Sequence, residues 1–247
     1  MHRNPVVSRE EWLAARRALL AREKEATRLR DEINAERLAL PWVKVDKTYI
    51  FDTAEGARTL AELFAGRSQL MVYHFMLGPG WGAGCVGCSF LADHLDGALP
   101  HLNHHDVTMV AVSRAPLAEI EAYRARMGWR FPWVSSFGSD FNYDFHVSFD
   151  QDGSAGRRVF YNFTETDAGQ ASAELPGLSA FFRDGADVFH TYSSYARGPE
   201  ELIGTFMILD RAPKGRNEKT IMDWVRRHDE YEDAPKAPSC CSGSAAA

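Results

Sequence analysis

The apolar run LMVYHFML (70–77) is followed directly by the loop GPGWGAG (78–84) and then by CVGCS (85–89). The apolar run predicts a buried strand, and the Gly/Pro-rich segment predicts an exposed loop. Helical periodicity continues after the Cys-x-x-Cys pair from Phe90 onward. A strand, a loop, a dithiol and a helix therefore follow one another in the order that redox chemistry requires.

The position of the two cysteines suggests a role for each. A helix N-terminus offers unpaired N–H groups and partial positive charge, which would stabilise a thiolate at Cys85. Cys88, about one helical turn further on, could then attack a mixed disulfide formed at Cys85. We therefore predict that Cys85 is the nucleophile and Cys88 the resolving thiol of a thiol–disulfide oxidoreductase.

Other interpretations of the pair remain open. Cys85 and Cys88 could be half of a structural zinc site, or two buried small apolar residues. A zinc site needs four ligands, and the further candidates are Cys240, Cys241 and the histidines His94, His101, His104 and His105. The other two cysteines, Cys240 and Cys241, are adjacent in the sequence rather than a second Cys-x-x-Cys pair, and no metal site is assigned. A soft-metal (Zn²⁺ or Cu⁺) carrier and a redox sensor stay as alternatives.

Composition places the chain among ordinary globular proteins. It has 247 residues, 45% of them hydrophobic and 25% charged, with a net charge of −6. This charge disfavours nucleic-acid binding, and the absence of an apolar run of about 18 residues disfavours a membrane span. The N-terminus shows no secretory signal pattern, and four cysteines are too few for a disulfide scaffold. The expected compartment is the cytoplasm.

The first 41 residues are predicted to form a helical extension. Ser8 and Glu11 have capping-box spacing, and Pro41 should end the helix that follows. This helix could lie along the main domain or form a homodimer contact. Apolar residues recur in it at every seventh position: Trp12, Leu19, Ala26, Ile33 and Leu40.

The main domain is predicted over residues 42–230, and the alternation from Val43 to Phe51 predicts a strand at its start. Residues 70–135 show a β-α-β-α-β pattern, whereas 137–176 are less regular and are interpreted as an insertion. Within it, 141–149 could be a strand or a short helix capped by Ser139-Asp140. A hairpin is expected around Asp184-Gly185, followed by helices over 199–209 and 218–227. The Pro/Ala/Ser-rich tail, 234–247, is expected to be disordered.

An α/β half followed by a β-hairpin and a helix is how a thioredoxin fold is assembled. Nearly the whole chain apart from the tail also resembles an uncharacterised thioredoxin-like group, domain of unknown function family 899. The resemblance is carried by these motifs: YHFM (73–76), GC (84–85), CS (88–89), AVSRAP (111–116), GWRFPW (128–133), SDFNY (139–143), HTY (190–192) and ARG (196–198).

The resemblance implies a thioredoxin-like fold with dithiol-disulfide oxidoreductase activity, which members of the group are assigned by similarity. The chain departs from ordinary thioredoxins because Gly84, not Trp, precedes the dithiol and Val86-Gly87 separates the cysteines. Thioredoxin folds usually place a cis-proline beside the dithiol, and Pro176 is the nearest candidate, with a turn proline as the alternative. The Pro-x-x-x-Thr-x-x-Cys loop of peroxiredoxins is absent.

Several other residues could support the dithiol. His74 could act as a base for Cys88 or be an ordinary core histidine, and Trp81 is the tryptophan nearest to the pair. Arg114 could stabilise a thiolate or bind an anion, and a surface ion pair is the alternative. The tail cysteines, Cys240 and Cys241, could exchange with the dithiol or have no function.

The expected partners follow from the proposed chemistry. They are a disulfide-bearing protein or a small thiol compound as substrate, and an external thiol reductant. No cofactor is predicted, because the glycine-rich loop carries Pro79 and Trp81 and lacks the acidic partner of a nucleotide fingerprint.

Overall fold

The computed structural model describes residues 4–150, 158–167 and 173–232. The chain divides into two compact units, residues 1–42 and 43–247. The α-helices are α1 Arg9–Leu38, α2 Val86–Ala92, α3 Leu99–His104, α4 Leu117–Met127, α5 Phe141–Asp144 and α6 Gly204–Leu209. The strands are β1 Val43–Lys44, β2 Ile50–Thr53, β3 Gly56–Thr59, β4 Gln69–His74, β5 Val107–Ser113, β6 Trp133–Ser135, β7 Arg158–Tyr161, β8 Thr164–Asp167, β9 Gly177–Asp184 and β10 Asp187–Tyr195.

The first unit contains the single helix α1, which begins at the predicted capping box. The Glu11 N–H donates to Ser8 Oγ at 3.2 Å, and the Ser8 N–H donates to Glu11 Oε2 at 2.9 Å. The helix ends at Leu38, just before Pro41, so both predicted limits of the helix are confirmed. Its role as a packing or dimer element stays a prediction.

The second unit is built on an eight-stranded sheet in the order β1-β10-β9-β4-β5-β6-β2-β3. Strands β4, β5 and β6 run parallel, and β9 pairs with β4 in the antiparallel direction. The predicted hairpin is confirmed, since β9 and β10 pair on either side of Gly185, whose φ is +58°. Strands β7 and β8 form a separate hairpin.

The central strands have the thioredoxin arrangement. The β4–β5 crossover contains α2 and α3, the β9–β10 hairpin adds to the free edge of β4, and α6 follows the hairpin. The order β5-β4-β9-β10 therefore confirms the predicted α/β, thioredoxin-like fold. Strand β5 lies inside the sheet, and all of its residues after Val107 are buried, as its continuous apolar sequence indicates.

The sheet buries a different cluster on each face. Near the end of β4, Tyr73 and Phe75 point toward α2 and α4, where they join the core that contains Cys88. Val72 points to the opposite face, into a core that includes Phe141 of α5. This alternation follows from the period of two in a strand.

Two predicted elements of the main domain take other forms. The continuous strand expected from Val43 to Phe51 is wrong, since β1 and β2 are separate short strands. Residues 141–149 begin with the short helix α5, the second of the two possibilities. Phe141 and Phe145 alternate with polar residues and are also four apart, so one turn of helix directs both rings into the same core.

The C-terminal part is less helical than predicted. The helix expected over 199–209 is split into a 3₁₀ helix, Gly198–Leu202, and α6. The helix expected over 218–227 is wrong. The Asp223 carboxylate accepts hydrogen bonds from the N–H groups of Lys219 and Thr220, and Met222 has a φ of +60°. Such local side-chain bonds compete with a helix. The tail predicted to be disordered, 234–247, lies outside the described residues.

Candidate dithiol site

The chain between β4 and α2 brings Cys85 to the start of a helix. The Cys85 N–H donates to the carbonyl oxygen of Met76 at 3.0 Å, and Cys85 is the N-cap residue of α2. A Cβ on Gly84 would collide with the Phe75 ring and lie 2.8 Å from Tyr123 Cε1, so this position requires glycine. The backbone of the loop therefore passes in close contact with these two rings just before the helix begins.

Cys88 lies behind Cys85 and is buried. Its sulfur accepts a hydrogen bond from the Met76 N–H at 3.5 Å and another from the Tyr73 hydroxyl. Tyr73, which was not among the predicted site residues, is 2% exposed. Its place in the strand that precedes the loop was the available signal, since alternation puts it on the dithiol side of the sheet.

The two thiols have opposite pKa shifts. A hydrogen bond from the Cys88 thiol, the N–H groups of Cys88 and Gly87 and the charge of Arg227 lower the pKa of Cys85 to about 6, although burial opposes them. Burial, the hydrogen bond to Cys85 and the charge of Cys85 hold the pKa of Cys88 well above its usual range. At neutral pH, Cys85 is therefore the thiolate and Cys88 the thiol that stabilises it.

Arg227 connects the C-terminal segment, residues 210–232, to the loop before the dithiol. Its Nη2 and Nε donate to the carbonyl oxygen of Gly84 at 2.6 and 3.2 Å, and its Nη1 contacts Glu230 Oε1 at 2.8 Å. Arg227 was not among the predicted site residues, because it lies 143 residues from Gly84 in a region expected to be helical.

The first turn of α2 is held from the other side by Ser89. Its hydroxyl donates to the Cys85 carbonyl oxygen at 2.8 Å and lies 2.8 Å from the Tyr123 hydroxyl. The α2 turn is thus attached to α4, which keeps the N–H groups of Gly87 and Cys88 directed at Cys85.

A mainly apolar cleft of about 270 Å³ opens beside Cys85. Residues from β4, α2 and the segments that flank the β9–β10 hairpin form it, together with two residues of the C-terminal segment. The lining residues are Tyr73, Met76, Cys85, Gly87, Cys88, Leu91, Pro176, Ala196, Arg197, Pro199, Glu200, Ile203, Ile221 and Met222.

His74 does not act as a base for Cys88, so that interpretation of the sequence is wrong. Its side chain points to the face of the sheet opposite Cys88, where its Nε2 lies 2.8 Å from Ser179 Oγ and its ring stacks on Phe141 and Phe145. Burial lowers the pKa of His74 to about 3, so it is a neutral core histidine. The change of face at each residue of β4 separates it from the dithiol.

Arg114 and Trp81 are also not brought to the dithiol cleft. Arg114 Nε contacts Glu174 Oε1 at 2.6 Å, and burial raises the pKa of that carboxyl group. This is the ion pair that was the alternative for Arg114, although its acid is buried rather than on the surface. Trp81 is 38% exposed, and its indole lies over Gly78 at the outer part of the loop.

Pro176 does line the cleft with the two cysteines, but as a trans-proline. The described residues contain no cis peptide bond, so the cis-proline interpretation is wrong. Its carbonyl oxygen accepts a hydrogen bond from the Tyr161 hydroxyl at 2.8 Å just before β9 begins. Cys240 and Cys241 lie outside the described residues.

Two further observations concern ligands and membranes. Within 4–150, 158–167 and 173–232, no three His, Cys, Asp or Glu side chains are grouped so that they could hold a metal ion. His94 is occupied by the Phe90 carbonyl oxygen at 2.8 Å and the Thr205 N–H at 3.1 Å. Over the same residues, no helix has the length and apolar character needed to cross a bilayer.

The fold and the site define a thioredoxin-like protein with a Cys-x-x-Cys pair at the N-terminus of helix α2. Comparison with protein families identifies the group more closely. Residues 1–231 match a family described as bacterial protein of unknown function (DUF899), and the chain belongs to this family. The predicted family membership is confirmed. No curated protein matches the chain significantly.

Solved structures with a similar chain path include three redox-related proteins. Peroxiredoxin Q from Xanthomonas campestris is 13% identical, with a TM-score of 0.41 over 63% of this chain and 87% of that one. Peroxidoxin BcpB from Mycobacterium tuberculosis is 13% identical, with a TM-score of 0.39 over 69% and 97%. A candidate protein disulfide isomerase from Bacteroides thetaiotaomicron is 15% identical, with a TM-score of 0.41 over 72% and 94%.

Proposed function

We propose that this protein is a thiol–disulfide oxidoreductase in which Cys85 is the nucleophile and Cys88 the resolving thiol. The observation that carries the proposal is the difference between the two thiols. Cys85 borders an open cleft and has a pKa of about 6, whereas Cys88 is buried and its pKa is raised. A nucleophile must be ionised and accessible, and a resolving thiol must wait protonated behind it.

The proposed reaction transfers two electrons from the dithiol to a substrate disulfide. The Cys85 thiolate attacks one sulfur of a disulfide, an S–S bond forms to Cys85, and the other substrate sulfur leaves as a thiolate. Cys88 then loses its proton and attacks the Cys85 sulfur, which releases the second substrate thiolate. Two electrons have passed to the substrate, Cys85 and Cys88 are joined, and an external thiol reductant restores them. A reducing compartment such as the cytoplasm would supply it.

The test uses the full-length protein in its reduced form. With a disulfide substrate, the wild type should gain a Cys85–Cys88 bond, and Cys88→Ser should accumulate a mixed disulfide on Cys85. Cys85→Ser should lose nearly all reactivity, because the buried Cys88 is protonated at neutral pH. Peptide mapping distinguishes Cys85 from Cys240 and Cys241. A Cys85→Ser protein that reacts at the wild-type rate would refute the proposal.

A further inference from the structure

The C-terminal segment (residues 210–232) forms one wall of the dithiol cleft. Arg227 binds the Gly84 carbonyl oxygen, and Val225 is 2% exposed in the core below. Met222 Sδ lies 3.1 Å from the position that a Cβ on Gly87 would take, directly beside the dithiol. The segment therefore covers part of the surface through which a large partner would approach Cys85.

The cleft that remains is small. Its volume of about 270 Å³ lies just below the range of roughly 300–1,000 Å³ found for pockets that hold drug-sized ligands. A folded protein partner instead needs a matching surface on the order of 800 Å² on each side. A concave space of this size suits a compact molecule.

The inner surface of the cleft is apolar. The buried side chains of Leu91 and Ile203 line it, together with Met76, Pro176 and Ile221. Apart from Cys85, the charged side chains among the described lining residues are Arg197 and Glu200. Burying a charged ligand against such a surface would cost desolvation free energy without a compensating partner.

Both rim charges are already paired. Arg197 Nε contacts Glu200 Oε2 at 2.7 Å, and Arg216 Nη1 contacts Glu200 Oε1 at 2.8 Å. Arg216 in turn binds Asp210 at 2.7 Å, so two arginines face two carboxylates and the rim carries no net charge. The Cys85 thiolate would repel an anionic ligand that enters the cleft.

We infer that the substrate of this site is a small, uncharged, apolar disulfide rather than a protein disulfide or an anionic one. This inference rests on the proposed function and specifies its substrate class. The reduced dithiol converts one such disulfide into two thiols, while Cys85 and Cys88 become joined by an S–S bond and two electrons are transferred.

The experiment measures how fast the reduced full-length protein is oxidised by diethyl disulfide, by dithiodiglycolate and by insulin. Dithiodiglycolate carries a carboxylate in place of each terminal methyl group of diethyl disulfide, so these two probes are matched in length. Each rate is divided by the rate of the same disulfide with mercaptoethanol thiolate, which removes differences in intrinsic reactivity. The expected preference for diethyl disulfide over either other probe is about tenfold or more.

Two lysine variants test whether the cleft sets this preference. Ile221→Lys places a cation on the cleft wall at a side chain that is already 51% exposed. It should reduce the preference for the neutral probe severalfold. Ile208→Lys makes the same change at a residue that is 71% exposed and does not line the cleft, and it should keep the wild-type preference.

The outcomes separate the two proposals. Equal normalised rates for the three disulfides, or an equal effect of the two lysine variants, would overturn the substrate class and leave the oxidoreductase in place. If no disulfide joins Cys85 to Cys88, the proposed function fails and the substrate class fails with it.

Discussion

The two faces of the central sheet each bury a chain of polar groups, and these chains differ in access to solvent. On one face, Tyr73 donates to Cys88 and Cys88 donates to Cys85, which borders the open cleft. On the other face, His74 contacts Ser179 at 2.8 Å, Ser179 contacts Ser193 at 2.8 Å, and Ser193 contacts His190 at 2.7 Å.

Aromatic rings surround this second chain, hereafter the histidine chain. The His74 ring stacks on Phe141 and Phe145, and burial lowers the pKa values of both His74 and His190. Burial therefore has different consequences on the two faces. It keeps the histidines neutral and structural, whereas at Cys85 the nearby hydrogen-bond donors outweigh burial and create a nucleophile.

The largest expected effect is a loss of folding stability at low pH, caused by His74 of the histidine chain. The pKa of His74 is about 3 in the folded protein and 6.5 as its ordinary value. Between these values the unfolded chain binds a proton that the folded chain does not. Stability contributed by His74 is thus present above about pH 6.5 and falls by about 1.4 kcal/mol per pH unit toward pH 3, on the order of 5 kcal/mol in all.

Denaturant unfolding between pH 7 and pH 4 measures this loss. The His74→Gln variant should show a shallower decline with falling pH than the wild type, whatever its stability at pH 7. Parallel declines in the two proteins would contradict the assignment of a buried neutral His74.

The next effect concerns the tight backbone on the dithiol face. Gly84→Ala places a methyl group against the Phe75 and Tyr123 rings, and overpacking of this kind costs about 1–3 kcal/mol. Thermal or denaturant unfolding measures the change. Gly97→Ala is the matched control, because an added Cβ there meets no atom within 4 Å. Similar losses in both variants would show that the contact at Gly84 is not the cause.

A smaller effect is expected at the resolving thiol. Tyr73→Phe removes a hydrogen bond that favours the Cys88 thiolate. A typical hydrogen bond contributes about 0.5–1.5 kcal/mol, so resolution of a preformed Cys85 mixed disulfide should slow by up to about tenfold. Rapid-mixing release of a chromophoric thiol measures this step.

Tyr49→Phe controls for loss of a buried hydroxyl on the opposite face, where Tyr49 binds Asp144 at 2.8 Å. It should leave the resolution rate unchanged. Equal slowing in both variants would mean that the step depends on general stability rather than on Tyr73.

The smallest effect is expected at Arg227. Its charge is the last of the causes that lower the pKa of Cys85. Arg227→Gln should raise that pKa by a few tenths of a unit, since a partly exposed charge contributes well below 1 kcal/mol. The pH dependence of Cys85 alkylation measures the shift. Arg226→Gln removes the same charge from the exposed neighbouring residue and should produce a smaller change.

Local patterns predicted the parts of the molecule that depend on neighbouring residues. The capping box at Ser8, the strand before the loop, the dithiol at a helix N-terminus and the hairpin at Gly185 were all found in this way. Each is decided by hydrogen bonds or φ values within a few residues. The helix expected over 218–227 failed because the Asp223 carboxylate and the left-handed Met222 favour turns instead.

The candidate site was predictable only in part, because the sequence does not show which residues share a face of the sheet. Cys85 and Cys88 were identified from their own spacing, and His74 was proposed as a partner because it is close in sequence. Strand alternation separates His74 from them and places Tyr73 there instead. Sequence proximity does not specify a face, and two neighbours on a strand point to opposite cores.

The sequence by itself determined that this protein carries a Cys-x-x-Cys pair between a buried strand and a helix, within an α/β domain whose later part contains a hairpin. Spacing and periodicity are local properties, so they can be identified from the amino-acid sequence alone. The tertiary structure alone decided how deeply Cys88 is buried, which distant groups act on Cys85 and which residues enclose the cleft. Burial of Cys88, the approach of Arg227 to Gly84 and the position of Met222 beside Gly87 all depend on contacts between distant segments. Such contacts set desolvation and access, and these determine the reactivity of Cys85.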